Sequence, residues 1–232
     1  MDLTIQSLAD LADGRVRLAA RPPLGGVNEP IGKLVSHPED VTPGDVLVVT
    51  DEMRAQHALC ETEAYDRGAL GVVSSGKPIE PWPGRFSVQV NDASWALWQL
   101  ASSARCEFEG HLIAVAGEVG KTVSATLMAA VLDLPETSAL PGGPEITSLA
   151  EQMLALPQST HCSILALHAR AHGDLDSSMH LCRPNTVVAI HPDFFDADSP
   201  AGSIAGCLEL HTALPDDGTL IVGPATHALA KG

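Results

Sequence analysis

The stretch Gly117-Glu-Val-Gly-Lys-Thr122 decides the fold expected for this chain. It follows the apolar run Leu112–Ala116 and precedes a helix-like stretch, Val123–Leu134. A strand, a glycine turn and a helix in this order are typical of a phosphate-binding loop, in which backbone N–H groups and the positive end of the helix face one point. Glycine suits the turn because the backbone there approaches the phosphate closely and can adopt positive φ.

Each residue of this loop is a candidate for binding nucleotide phosphates. Lys121 is predicted to reach the outer phosphates, and the hydroxyl of Thr122 is predicted to ligate Mg²⁺. The longer pattern Gly-x-x-x-x-Gly-Lys-Ser/Thr is not met, because Val115 stands where its first glycine belongs. The alternative is a tight strand-to-helix turn with a solvated lysine. The predicted cofactor-binding residues are Gly117, Glu118, Val119, Gly120, Lys121 and Thr122.

Length and composition restrict the class of protein. The 232 residues suffice for one large or two modest domains, and the 3% aromatic content means that Ala, Val, Leu and Ile must build the core. The formal charge of −16, from 29 acidic against 13 basic residues, opposes non-specific binding to nucleic acid or to an anionic membrane. We therefore expect neither partner.

The cysteines and the N-terminus bear on the cellular compartment. The five cysteines are scattered, without a Cys-x-x-Cys pair, which favours isolated buried thiols in a reducing compartment. The N-terminal Met-Asp-Leu-Thr resembles no signal peptide, and no apolar run is long enough to span a bilayer. The sequence predicts a cytoplasmic soluble protein. The cysteines are Cys60, Cys106, Cys162, Cys182 and Cys207.

Strands and helices are predicted to alternate along both halves of the chain, which indicates an α/β fold. The second half is expected to form a mostly parallel sheet with the phosphate loop at the carboxyl end of a strand. Strands are predicted at 31–35, 46–50, 69–74, 86–90, 112–116, 162–167, 186–190 and 219–222. Helices are predicted at 3–12, 61–67, 92–104, 123–134, 148–156 and 204–213, and residues 173–181 are either a polar loop or a helix.

Four stretches resemble segments of the Mur ligase family, in the same order and at similar spacing. Val41-Thr-Pro-Gly-Asp45 is similar to "V-x-P-G-D" of the family's N-terminal domain, and Ala64–Val73 to its "A-x-x-x-G-A-x-x-V-V". Ala114–Thr122 resembles the ATP loop "A-I-T-G-S-x-G-K-T", and Leu214–Val222 the closing "L-P-x-D-G" strand of the central domain. The chain looks closest to the branch that joins D-alanyl-D-alanine to a UDP-muramoyl tripeptide.

The resemblance implies a domain organisation and a chemistry. Residues 1–107 correspond to the N-terminal, UDP-substrate-type domain and residues 108–232 to the central ATP-binding domain, while the family's C-terminal ligase domain is absent from this sequence. Family members use ATP and Mg²⁺ to convert a carboxylate to an acyl phosphate, which an amine then attacks. ATP, Mg²⁺ and a UDP-linked peptidoglycan precursor are thus the implied ligands.

Several family residues with catalytic roles are replaced here. The glutamate that holds a second Mg²⁺ falls on Ala166, and the lysine that is carbamylated falls near Cys207-Leu-Glu209. There is no lysine between Lys121 and Lys231, and the segment His191-Pro-Asp-Phe-Phe-Asp196 has no histidine at the position where the family has one. The substrate-contacting "D-S-R" triplet corresponds to residues 37–39, and of "D-G-H" only His57 matches.

These replacements favour a Mur-ligase-like protein that has lost ligase chemistry and retains nucleotide binding, or a regulatory role beside a protein partner or a second copy. The alternative is an active ATP-dependent amide ligase completed by a partner chain. A phosphohydrolase is disfavoured, because no acidic residue at a strand end is evident for its metal. Glu118 adds a negative charge beside the phosphate position, unless its side chain turns toward solvent.

A separate metal site in the histidine-rich region is disfavoured. His168 and His172 lie four residues apart, but the predicted strand and the following glycine break helical spacing. Asp174 and Asp193 are most simply solvated loop acids, with metal ligation as the alternative.

Overall fold

The computed structural model describes residues 3–117, 119–134, 139–140, 146–154, 156, 160–168, 173–190, 208–212 and 214–222. The chain divides into two compact units, Met1–Ala104 and Arg105–Gly232, which we call the first and second unit. Each unit contains one five-stranded sheet. The α/β fold expected from the sequence is confirmed.

The first unit is a mainly parallel sheet with the strand order β1-β5-β4-β3-β2, in which only β1 runs antiparallel to its neighbour. Its strands β3 and β4 are buried along their whole length, as expected for parallel strands covered on both faces. The elements are α1 Ile5–Leu11, β1 Arg15–Leu18, β2 Leu34–Val35, β3 Val46–Val49, α2 Asp51–Gln56, α3 Cys60–Asp66, β4 Gly71–Ser74, β5 Phe86–Gln89 and α4 Ala93–Glu107.

The turn before β3 is organised by the buried Asp45. Its carboxylate accepts hydrogen bonds from the backbone N–H of Lys33 at 2.8 Å and of Thr42 at 2.9 Å. The Thr42 hydroxyl donates a third at 2.7 Å. Asp45 is only 4% exposed, so its charge is tolerated because these donors surround it. The turn thereby fixes the entry of the chain into β3.

We expect Asp45→Ala to destabilise the first unit by about 2 kcal/mol, because three partly buried hydrogen bonds to a charged acceptor would be lost. Asp45→Asn, which keeps one acceptor oxygen, should cost less. Urea unfolding followed by tryptophan fluorescence measures this, because Trp82, Trp95 and Trp98, the only tryptophans, lie in the first unit. Equal losses for the two variants would contradict the role given to the carboxylate.

The second unit is an all-parallel sheet with the strand order β10-β9-β6-β8-β7. Helix α5 contacts β6, β7 and β8, and helix α6 contacts α7. Residues 208–212 form a further short helical segment. The elements are β6 His111–Ala116, α5 Lys121–Val131, β7 Ala139–Leu140, α6 Ile146–Leu154, β8 Cys162–Leu167, α7 Asp174–Cys182, β9 Thr186–Ala189 and β10 Thr219–Val222.

The structure adds elements that the sequence did not indicate. Strand β1 and helix α2 in the first unit and strand β7 in the second fall where loops were expected. Residues 173–181, for which the sequence allowed either a polar loop or a helix, belong mostly to helix α7. The remaining predicted elements overlap the observed ones, apart from shifts at their ends.

The described cysteines are free thiols in different environments. Cys60 and Cys182 are buried, Cys162 is half-buried and Cys106 is exposed. Burial is the largest influence that raises the pKa of Cys60 to about 11 and of Cys182 to about 12. The expected buried thiols are therefore present at two of these positions.

Candidate functional site

The predicted phosphate loop lies where the strand order of the second sheet reverses. Strand β6 is central, and the chain leaves it through α5 towards β7 and β8 on one side, whereas β9 and β10 lie on the other. In open α/β sheets ligands bind outside the carboxyl ends of the strands at this kind of switch point. The loop that follows Ala116 at the end of β6 therefore occupies the expected position for a ligand site.

Gly117 is required here by close packing. A Cβ atom at this residue would lie 1.8 Å from the carbonyl oxygen of Ile190, the residue that follows β9. The backbone N–H of Ile190 in turn donates to the carbonyl of Ala116 at 2.8 Å, which fixes the two segments together. Ile190 therefore packs against the start of the loop, a contact that the sequence analysis did not predict.

Gly120 ends the loop in a left-handed conformation with φ 83° and serves as the N-cap of α5. This conformation favours glycine because a Cβ atom would crowd the following carbonyl oxygen. The first N–H groups of a helix have no partner within the helix, and they carry the positive end of the helix dipole. The start of α5 therefore presents donors toward an anion.

Lys121 is buried at 7% exposure, and its side chain bends back over the loop. The Nζ atom donates a hydrogen bond to the carbonyl oxygen of Gly117 at 2.5 Å. An ammonium ion is thus held beside the backbone turn at the start of α5. This differs from the alternative of a solvated lysine that the sequence left open.

The other two described side chains of the loop are exposed. Val119 is 66% exposed and Thr122 is exposed, while the carbonyl of Thr122 accepts a hydrogen bond from the Thr126 hydroxyl at 2.9 Å. Glu118 lies outside the described residues, so the effect predicted for its charge stays a prediction. Metal ligation by Thr122 likewise stays a prediction.

Ala166, which stands where the family has its metal-binding glutamate, lies on β8 directly opposite Val115 of β6. Val115 belongs to the hydrophobic cluster that also includes Ala125 of α5. His168 follows β8 at the same edge of the sheet as Gly117, and its Nε2 atom is buried. Lys121 and His168 therefore lie at this edge of the sheet, and position 166 carries a methyl group instead of a carboxylate.

Other predicted positions are only partly visible. Residues 191–207, including Asp193, and His172 fall outside the described residues. Glu209 accepts a hydrogen bond from the N–H of Gly173 at 3.0 Å, at the start of α7. Within the ranges that the structure describes, no group of three or more His, Cys, Asp or Glu residues could hold a metal ion.

The first unit has a polar network at the carboxyl ends of β3 and β4. Arg54 donates to the Glu61 carboxylate at 3.1 and 3.2 Å and to the carbonyl of Ser75 at 3.2 Å. The Ser75 hydroxyl donates to Asp51 at 3.0 Å. The members of this network come from elements that are separate in the sequence, so no local pattern predicts it. His57 lies nearby in the chain, at the C-cap of α2.

No family model matches the chain. In sequence it is similar to the UDP-N-acetylmuramoyl-tripeptide–D-alanyl-D-alanine ligase of Bacillus subtilis (strain 168), with 28% identity over 170 residues. This match covers 71% of the present chain and 37% of that ligase.

Solved structures of Mur ligases share the fold. MurF from Acinetobacter baumannii has a TM-score of 0.76 at 17% identity, and the match covers 100% of this chain and 51% of that one. The MurF ligase of Thermotoga maritima in complex with ADP has a TM-score of 0.65 at 17% identity, covering 86% of this chain and 47% of that one. The resemblance to the Mur ligase family is confirmed, and the chain spans about half the length of the solved MurF structures or less. Among the described residues, no helix has the length and apolarity needed to cross a bilayer.

Proposed function

We propose that this chain binds a nucleotide through residues 117–122 and has lost the ligase chemistry of its Mur ligase relatives. The observation that carries the proposal is the buried ammonium group of Lys121, 2.5 Å from the Gly117 carbonyl at the start of α5. A phosphate group is negatively charged, so its oxygens are stronger partners for an ammonium ion than a carbonyl oxygen. The site is thus suited to an anion.

Loss of ligase chemistry is inferred from Ala166. Phosphoryl transfer depends on metal ions and cations that neutralise developing charge, and the methyl group of alanine supplies neither. The polar network around Arg54 in the first unit is the proposed place for a UDP-linked precursor. In this proposal the chain acts as a binding or regulatory protein in peptidoglycan synthesis, alone, as a homo-oligomer or beside a partner protein.

The nucleotide proposed is ADP or ATP, because the T. maritima relative was solved with ADP. We expect Lys121→Ala to weaken ADP binding roughly 10- to 100-fold, the loss typical of one charge-assisted hydrogen bond. Isothermal titration calorimetry measures the dissociation constant. Lys121→Met preserves most of the side-chain volume, so it separates lost charge from lost packing.

Lys77→Ala is the matched control, since Lys77 is exposed in the first unit and its replacement removes the same positive charge from the chain. It should leave ADP affinity within about 3-fold of the native value, a shift below 1 kcal/mol. Circular dichroism melts of each variant confirm that the fold persists. Full ADP affinity in folded Lys121→Met would refute the proposed site.

The alternative function is an amide ligase that a partner chain completes. The sequence similarity to the B. subtilis ligase, 28% identity over 170 residues, favours it. Phosphate release with ATP, the UDP-muramoyl tripeptide and D-alanyl-D-alanine, with and without candidate partner proteins, separates the two functions. Turnover that requires a partner and disappears in Lys121→Ala would favour the ligase.

A further inference from the structure

Helix α5 exposes a row of large apolar side chains. Val123, Leu127 and Val131 lie four residues apart and are 63%, 61% and 84% exposed. On the opposite side of the helix, Ala125 and Ala129 pack in the hydrophobic cluster with residues of β6 and β8. A surface helix ordinarily turns polar or charged residues away from the core. Because α5 carries apolar residues on both sides, it has the composition of a helix that is covered on both sides.

A second row of small, uncharged residues runs beside the first. Thr122, Thr126 and Ala130 are exposed, and each comes one position before a member of the apolar row. The Thr126 hydroxyl donates to the carbonyl of Thr122 at 2.9 Å, so it is satisfied within the helix. Residues four apart form ridges on a helix surface, and neighbouring ridges enclose grooves. The two rows therefore give α5 a high apolar ridge beside a low groove.

A second copy of this chain is complementary to such a surface. Ridges of residues four apart interdigitate when two helices cross at about −50°, the commonest packing class in globular proteins. In a two-fold dimer the same patch serves on both copies, so each ridge can enter the groove of the other copy. Leu127 is at the middle of the row, which places it near the two-fold axis against the partner's Leu127.

Charge favours contact through this face. Each copy carries a formal charge of −16, so two copies repel one another where their acidic side chains meet. Residues 122–132 contain no Asp, Glu, Lys or Arg, and α5 therefore offers a contact without this repulsion. The lack of basic residues also argues against a membrane as the occupant, because helices that lie on membranes carry Lys and Arg beside their apolar face.

We propose that two copies of this protein associate through α5, with the row Val123, Leu127 and Val131 packed around a two-fold axis. The row presents on the order of 400 Å² of apolar surface, about half of what each partner buries in a stable complex. The dimer is therefore weak, with an expected dissociation constant on the order of 10–100 µM. The inference does not depend on the proposed nucleotide binding, so either can fail without the other.

Sedimentation velocity of the 232-residue chain measures the association. We expect a reversible monomer–dimer equilibrium between about 1 and 300 µM, the range that brackets the expected dissociation constant. A chain that stays monomeric over this range would overturn the inference and leave α5 to a different occupant.

Leu127→Glu tests whether α5 forms the contact. It should weaken association by about 30-fold or more, because two carboxylates would meet at the axis. Leu24→Glu is the matched control: Leu24 is fully exposed in the first unit, so the same substitution there should change the dissociation constant by less than about 3-fold. Glutamate is a good helix former, and far-UV circular dichroism verifies that both variants fold. Unchanged association of folded Leu127→Glu would overturn the inference.

A mixing experiment tests whether Leu127 meets its own counterpart. Leu127→Glu and Leu127→Lys should each be monomeric alone, because like charges would face one another at the axis. An equimolar mixture of the two should form a mixed dimer, because opposite charges then meet there. A mixture that stays monomeric while the native chain dimerises would contradict the two-fold pairing at Leu127.

Discussion

Replacement of Gly117 by alanine is expected to abolish cooperative folding of the second unit. The new Cβ atom would lie 1.8 Å from the carbonyl oxygen of Ile190, far inside contact distance. If the backbone moved to relieve this clash, it would break the hydrogen bond from the Ile190 N–H to the Ala116 carbonyl. That bond joins β6 to the segment after β9. We expect a loss of about 4 kcal/mol or more, a size that requires a specific steric cause.

Gly120→Ala is the matched control, because it adds the same methyl group to the other glycine of the loop. Among the described residues, its Cβ atom would meet the Ile190 side chain, at 3.9 Å, so the expected cost is that of the left-handed φ of 83°, about 1–2 kcal/mol. Far-UV circular dichroism during urea unfolding follows both units, whereas tryptophan fluorescence follows the first. A Gly117→Ala protein as stable as Gly120→Ala would show that the Ile190 contact is absent in solution.

The strand, glycine turn and helix around residues 117–122 were predictable because their signals are local. An apolar run, two glycines, a lysine and a helix-like stretch lie within residues 112–134. Strand β8 was found for the same reason, and the turn Pro215-Asp-Asp-Gly218 signalled the half-exposed strand β10 that follows it. Buried parallel strands show as short apolar runs bounded by turn residues, whatever they pair with.

What escaped prediction depends on contacts between distant residues. Strand β1, with the sequence Arg-Val-Arg-Leu, is half-buried and pairs antiparallel with β5, and its four residues carry too little pattern to identify it. The packing of Ile190 against Gly117 joins residues that are far apart in sequence. Likewise, the sequence shows an alanine at position 166, where the resemblance places a glutamate. The residue that lies opposite Ala166, Val115, is known only from the register of β8 against β6.

Arg105→Ala is expected to destabilise the second unit by about 2–4 kcal/mol. The guanidinium donates to the carbonyls of Cys182 at 2.6 Å, Phe108 at 3.0 Å and Arg183 at 2.8 Å. Cys182 is the last residue of α7, and Arg183, its C-cap, is left-handed with φ 39°. A cation at a helix C-terminus is favourable, and loss of a charged donor costs about 1.5–3 kcal/mol per bond in partly buried settings.

Arg105→Lys tests whether the geometry of the fork matters beyond its charge. An ammonium group keeps the favourable charge but cannot reach three carbonyls in one plane, so we expect roughly half of the loss. Arg17→Ala is the control for removal of an arginine, because its ion pair with Glu80 is exposed and should cost less than 1 kcal/mol. Urea unfolding followed by circular dichroism measures all three variants. Equal stability of Arg105→Ala and Arg17→Ala would contradict this role. Water would then satisfy the carbonyls at the end of α7, and only buried residues such as Leu175 and Met179 would hold the helix.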